Sequence, residues 1–496
     1  MKKKLLRWTA VMLLVLGTLI TLFYAVENWR GARAWEILET ELRQRNEPMT
    51  PDEILPVAVP DSSNGALLPI WKEIFESEEA TEKGIIDGSK PRISGLFFKF
   101  KPNRQTQLRK GWAYDITLPI QSYATDSPEK SAFEWTEERK VLAEEVVVSL
   151  NQAFFRWPLQ YGDFYLMKTP QYGELRDTAA FFQLRSVAFL DKGKSDKAYQ
   201  DVRILVGLAN TTKDTPFLIS RLTRLSLEQV VVETIWEGLL RHAWNTEQLK
   251  EMDGLLEDFQ PLTEARRGYG EERVCFVQMQ LIVDSDVSKT ISSLYYERKN
   301  VSNVGHLITL LYFKLRPEGW RNQERVLAAE ETLKTQDWLQ TTIEQGAIPS
   351  SLESLAPELF VRSKGFWAQT LFIAGRIKKP LATGAMQGIS QQCGKFVEMQ
   401  VLLTQCRTAI AIERFRMDQK RLPSSLDELV PHYSSQVPLD IWNGKAMTYV
   451  AKDEKTYVLY AVGWNGTDDG GYTSKVTKKG DWVWPSKPGL VEVRDK

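Results

Sequence analysis

Apolar positions change their spacing from one region of the chain to the next. From Trp8 to Val26 they run almost without interruption for about 19 residues, enough for a helix to cross a bilayer. Lys2, Lys3, Lys4 and Arg7 precede the run, which by the positive-inside rule places the N-terminus in the cytoplasm. A cleaved signal peptide would have a shorter apolar core and small residues at its end. This run ends in TLFYAVENW, with Tyr24 and Trp29 as interfacial anchors, so it reads as an uncleaved anchor. From Asn28 onward Trp35, Leu38 and Leu42 recur at i, i+3 and i+7, the face of an amphipathic helix. A stalk leaving the membrane is expected there, followed by a linker broken by Pro48, Pro51, Pro56 and Pro60.

Between Leu67 and Trp338 most windows carry apolar residues at helical spacing, with short breaks containing Gly, Pro or Asn. Leu184, Ala188 and Leu190 lead to Gly193, and Ala198, Val202 and Leu205 follow on the next segment. Small residues at such a crossing suit tetratricopeptide-like hairpins, but no clean repeat period appears, so the expectation is an irregular helical array. Helical periodicity lapses over 84–127. That excursion contains FFKFKPNRQTQLRKGW (97–112), where aromatics interleave with bases. It reads first as a structural loop, next as a contact for anionic lipid, and last as a nucleic-acid patch.

The expected fold is mainly α, with four parts. Residues 1–27 form the cytoplasmic tip and transmembrane anchor, and 28–65 the stalk and linker. Residues 66–395 form the helical domain, and 396–496 a small α+β unit with an antiparallel sheet.

Composition narrows the function classes. The 64 basic residues balance 64 acidic ones among 496, so no global field points to nucleic acid or an acidic substrate. Cys393 and Cys406 fall on one expected helix, roughly 20 Å apart at 1.5 Å per residue, too far for a disulfide. The three histidines stand at no metal-ligand spacing to each other or to the cysteines. GYGEER (268–273) lacks the preceding strand and third glycine of a phosphate loop, and Glu271 and Glu272 beside Arg266 and Arg267 read as a charged helix face. Paired carboxylates for glycoside cleavage would leave no local signature, because the two acids need not be near each other in sequence.

LPSSLDELVPHY (422–433) nearly repeats IPSSLESLAPEL (348–359). Each reads as a short capped helix: Ser424 with Asp427, and Ser350 with Glu353, followed by paired leucines and a stopping proline. The flanks of the two copies do not align, so they are punctuation and not a duplicated domain.

Around the second copy the order is more specific. A helix ends at Arg421-Leu422-Pro423, a short capped helix carries Leu426 and Leu429, then come Pro438, Asp440, Trp442 and Gly444, two strands with Tyr457, Leu459, Tyr460 and Gly463, and an acidic Gly-rich loop. Over about the last 90 residues this resembles the C-terminal domain of the major pseudopilins of type II secretion systems. Two features depart from that family. The processing signal before the apolar run is missing, and more than 350 residues separate the membrane helix from the pseudopilin-like unit. A borrowed head is therefore expected, not a fibre subunit. The loop supplies Asn465, Thr467, Asp468 and Asp469 between Gly466, Gly470 and Gly471. That is oxygen-rich chemistry suited to calcium, and the resemblance also implies a calcium ion after the matching strand. Asn465, Asp468 and Asp469 are the candidate ligands, and Asp440 reads as a structural cap of the turn before Trp442.

The functional expectation is a scaffold or docking protein, single-pass in a bacterial inner membrane with its bulk in the periplasm. Its partners would be envelope proteins, with secretion machinery the class implied by the resemblance, and no nucleic acid. The alternative is a membrane-tethered hydrolase acting on cell-wall or imported polysaccharide.

Overall fold

The computed structural model describes residues 2–82, 93, 131–159, 161, 167–285, 311–349, 389, 392–472 and 480–485. The basic-aromatic stretch 97–112 and most of the first PSSL copy lie outside the described residues.

The chain is mainly helical. Helix α1 (Lys2–Gln44) runs unbroken from the basic tip through the apolar run into the body. Its apolar stretch is exposed along its length, Leu13 at 68% and Leu16 at 54%, and it is long and apolar enough to cross a membrane. Helices α2 (Pro51–Ile54) and α3 (Pro69–Glu82) follow, then α4 (Ala132–Glu137), α5 (Lys140–Leu150), α6 (Gln171–Asp191), α7 (Ser195–Asn210), α8 (Leu218–Leu240), α9 (Thr246–Leu256) and α10 (Pro261–Ser285). The long helices α11 (Glu318–Gln345) and α12 (Cys393–Gln419) precede a sheet of β1 (Thr448–Ala451), β2 (Tyr457–Ala461) and β3 (Trp482–Pro485).

The expected hairpin is present. Lys192–Lys194 joins α6 to α7, with Gly193 at φ +67° closing α6 through its N–H to Leu190. Ser186 Oγ donates to the Ala198 carbonyl, 3.1 Å, and Arg185 clamps Asp201. The two helices therefore run antiparallel, and α8 packs against both.

The amphipathic helix expected beyond the apolar run is the second half of α1. Trp35, Leu38 and Leu42 do share a face, but that face is not free: it packs on Ala329, Leu333 and Val326 of α11. Gly31 and Gly319 let the backbones touch, since a Cβ on Gly31 would lie 2.1 Å from the Gly319 carbonyl oxygen. The proline-rich stretch is folded too. The Thr50 and Glu53 caps close α2, and Ile54 is buried with Phe217, Val274 and Cys275.

The sheet is antiparallel in the order β1-β2-β3, with Tyr449 opposite Leu459 and Leu459 opposite Trp484. All of β2 is buried. Tyr457, Leu459 and Ala461 face α12, while Val458 and Tyr460 pack with Val450 and Val483 on the other side, the two-residue alternation of a strand. Helix α12 also packs on α8, α9 and α10, so one apolar core runs from Ala66 through the helical array to Trp484.

The second PSSL copy is a short helix of the 3-10 type, Leu426–Leu429. Its N-cap is Ser425, one residue after Ser424, and its side chain bonds the Asp427 carboxylate, 3.0 Å, and not a backbone amide. With Pro431 so close, too few residues remain for i to i−4 hydrogen bonds. Leu426 and Leu429 are buried as expected.

Candidate functional site

GYGEER lies in the middle of α10, and its charged residues sit largely in the interior. Glu271 is 2% exposed and Arg273 1%. The two glycines make room for neighbouring helices. A Cβ on Gly268 would come within 3.0 Å of Arg221 Cγ, and one on Gly270 within 3.1 Å of Gln336 Nε2 and 3.3 Å of Glu47 Oε2. Between them, buried Tyr269 donates its hydroxyl to the Ile389 carbonyl, 2.9 Å.

A buried charge cluster lies on each side. On one, Arg221 of α8 pairs with Glu271 and Glu264, each at 2.8 Å, and donates to the Lys213 carbonyl, 2.7 Å. Glu271 also accepts from Arg267 Nε and from the Phe217 backbone amide, each at 2.9 Å. Phe217 has φ +85°, a region that costs energy for any residue with a Cβ; the Glu271 bond helps hold it there, at the first turn of α8. On the other side Arg273 Nη2 donates to Glu47 Oε2 at 2.7 Å and its Nη1 to Gln336 Oε1 at 2.6 Å, while Arg266 reaches Glu47 Oε1 at 3.0 Å. Burial alone would raise the Glu47 carboxyl, but the Arg273 hydrogen bond and charge, with Gln336 and Arg266, bring it below its usual range.

Next to the first cluster a cleft of about 430 Å³ opens, bordered by Phe217, Leu218, Leu222, Cys275, Gln392 and Glu272. Glu272 is partly exposed to it and accepts from the Leu218 amide at 3.4 Å. Burial, followed by the charge of Glu271 and against the Leu218 hydrogen bond, pushes its carboxyl up to about 7. It is thus poised to exchange a proton near neutrality. Burial pushes the Cys275 thiol up well above the usual range, so it is no thiolate nucleophile at neutral pH. Sequence reasoning noted Glu272 but missed its setting. The signal was the pair of glycines around Tyr269, which calls for close packing on both sides of the acids.

At the far end, Asp440 acts as expected. Its Oδ1 accepts from the Trp442 amide at 2.8 Å and its Oδ2 from the Val462 amide at 2.9 Å, pinning the turn to the end of β2. Trp442, Trp464 and Trp482 stack edge to face beside it.

The loop after β2 brings Asn465 and Asp469 together, with Asn465 Nδ2 donating to Asp469 Oδ2 at 2.6 Å. Asp468 Oδ1 turns to the Gly470 amide, 2.9 Å. The organising residue is Asp481, which no sequence pattern singled out. Buried at 2% exposure, it accepts from the amides of Asp469 at 3.0 Å and Gly471 at 2.8 Å. Burial, outweighing those two amides and joined by the charges of Asp468 and Asp469, raises its carboxyl to about 6. Carboxylate oxygens of this loop thus face protein N–H groups. Among the described residues no three acidic, histidine or cysteine side chains gather as a metal group.

Comparison of the chain with protein families, with curated proteins and with solved structures finds no match.

Proposed function

We propose that the protein is a membrane-anchored scaffold of the bacterial envelope. In this reading α1 crosses the inner membrane with its N-terminus in the cytoplasm. The helical array stands in the periplasm, and the C-terminal unit serves as a pseudopilin-like docking surface for envelope proteins of the secretion machinery class. The observation that carries it is the continuity of α1. A helix exposed and apolar in its first half is packed in its second half by Gly31, Leu38 and Leu42 against α11. Such a joint holds the body at a fixed height over the bilayer, which suits a platform.

The test has two arms. Protease added to the periplasmic face of right-side-out vesicles should trim the chain to a small membrane stub; survival of the full length would overturn the topology. Crosslinking in native membranes followed by mass spectrometry should then recover the same envelope proteins in repeated captures through α12 and the sheet. Crosslinks confined to the chain itself would overturn the docking role.

One observation favours a second reading, the tethered hydrolase: Glu272 at the edge of a cleft with a carboxyl near neutrality. A glycosidase needs a second carboxyl about 5–10 Å away, and Glu271 beside it is engaged by Arg221, Arg267 and Phe217. Release of reducing sugar from cell-wall polysaccharide, lost in Glu272→Gln, would replace the scaffold with the enzyme.

A further inference from the structure

Among the described residues, the end of the body nearest the apolar run of α1 is built from the start of α11, the far end of α10 and the helical segment 311–315. Helix α11 runs parallel to α1. Asn28 Oδ1 accepts from the Gly319 amide at 2.9 Å, Glu27 Oε2 from Trp320 Nε1 at 2.8 Å, and Arg45 pairs with Asp337 one after the other along the two helices. Helix α10 runs the other way along α11, since Arg273 meets Gln336 while Phe276 and Met279 meet Ala328. Segment 311–315 closes this end. Phe313 turns inward to the cluster of Phe276 and Met279, and Tyr312 lies 6.4 Å from the ring of Trp320. Arg316, just after it, pairs with buried Glu324 at 2.7 Å.

The outward face of the segment is apolar. Leu311 is 47% exposed and Leu315 63%, four residues apart and so on one side of a helical turn. Leu315 is also at a known height, because the Tyr24 hydroxyl donates to its carbonyl. Tyr24 stands two residues before the end of the apolar run, about 3 Å along the helix. Phe23 meets Trp320 edge to face at 6.2 Å on the same level. Leu315 therefore stands beside the exposed apolar surface of α1 at Leu19, Ile20 and Phe23, and Leu311 shares its side of the turn. Lys314, exposed between them, is long enough to lift its ammonium to the headgroups.

We propose that segment 311–315 is a second membrane contact, lying in the interfacial layer of the leaflet from which α1 emerges, with Leu311 and Leu315 among the acyl chains. A short apolar face beside an aromatic belt suits that depth. The contact would fix rotation about α1, which a single spanning helix leaves free. This inference rests on α1 spanning the bilayer.

The test uses the full chain in phosphatidylcholine nanodiscs, with a nitroxide on Leu311→Cys or Leu315→Cys. The native cysteines Cys275, Cys393 and Cys406 are buried, and the unsubstituted chain sets their background. Leu19→Cys in the apolar run and Val57→Cys, 85% exposed on the body, bracket the scale. Collision with dissolved oxygen is compared with collision with a water-soluble nickel chelate. At 311 and 315 nickel collision should be several-fold lower than at 57, and oxygen collision closer to that at 19. Nickel access at 311 and 315 equal to that at 57, with 19 still protected, would overturn the membrane contact alone. Nickel access at 19 itself would overturn the spanning helix, and the contact with it.

Discussion

Glu47 Oε2 lies 2.7 Å from Nη2 of Arg273, a buried bond across 226 residues that ties the chain just beyond α1 to the middle of α10. Both side chains are nearly closed to solvent, at 6% and 2%. A pair of this kind adds little over a well-packed apolar pair, but losing one partner strands the other charge. Arg273→Met should therefore lower unfolding stability by about 3–5 kcal/mol. Glu47→Leu combined with Arg273→Met should recover much of that loss, because Arg266 is 38% exposed and reaches water. Denaturant titration of the single and double variants checks this; equal losses in both would mean that the pair is not a coupled unit.

Gly31 is expected to be intolerant of any side chain. A Cβ there would meet the Gly319 carbonyl at 2.1 Å, backbone against backbone. Gly31→Val should cost about 1–3 kcal/mol or more and free the α1–α11 joint to limited proteolysis. Gly17→Val, with nothing within 4 Å, should leave melting unchanged. Equal behaviour of the two variants would show that the helices do not meet at that crossing.

Glu272 sets a pH dependence. Its carboxyl stands at about 7 in the folded chain against 4.5 as a free group. The folded state then holds a proton that the unfolded state has released. The associated stability is complete below the unfolded value and lost as pH rises through the folded one. Each unit of the shift is worth about 1.4 kcal/mol. Glu271 beside it is held in ion pairs with Arg221 and Arg267, and burial raises the Cys275 thiol above this window, so Glu272→Gln should remove its share. Between about pH 5 and about pH 8 the variant should lose less stability than the parent. Parallel curves would place the Glu272 carboxyl at its ordinary value.

In the loop after β2, Asp481 accepts from the amides of Asp469 and Gly471 and so closes the loop. Asp481→Asn turns an amide donor toward one of those N–H groups and should cost about 1–3 kcal/mol. Melting of the full chain in millimolar calcium and in chelator tests the loop for an ion, and identical temperatures would leave it an ordinary acidic turn. A rise of several degrees with calcium, removed by Asp469→Ala, would put an ion on Asn465, Asp468 and Asp469.

Local patterns were legible because they depend on near neighbours. The apolar run sets α1, the heptad-like spacing sets its packed face, and Ser195–Asn210 and the β2 strand stand where period and turn residues put them. Asp440 was readable as a cap because its partner Trp442 is two residues away. What the sequence alone left undecided is what each face meets. Glu271 and Arg267 at i and i+4 look alike on a solvated helix and on a buried one; only Arg221, 50 residues distant, makes the difference. The expected stalk became half of a helix pair because Gly319 lies opposite Gly31. Asp481 gained its role from amides that return to it across a loop. Periodicity records the shape of one segment, whereas burial and charge pairing are properties of two, and the second segment is chosen only when the chain packs.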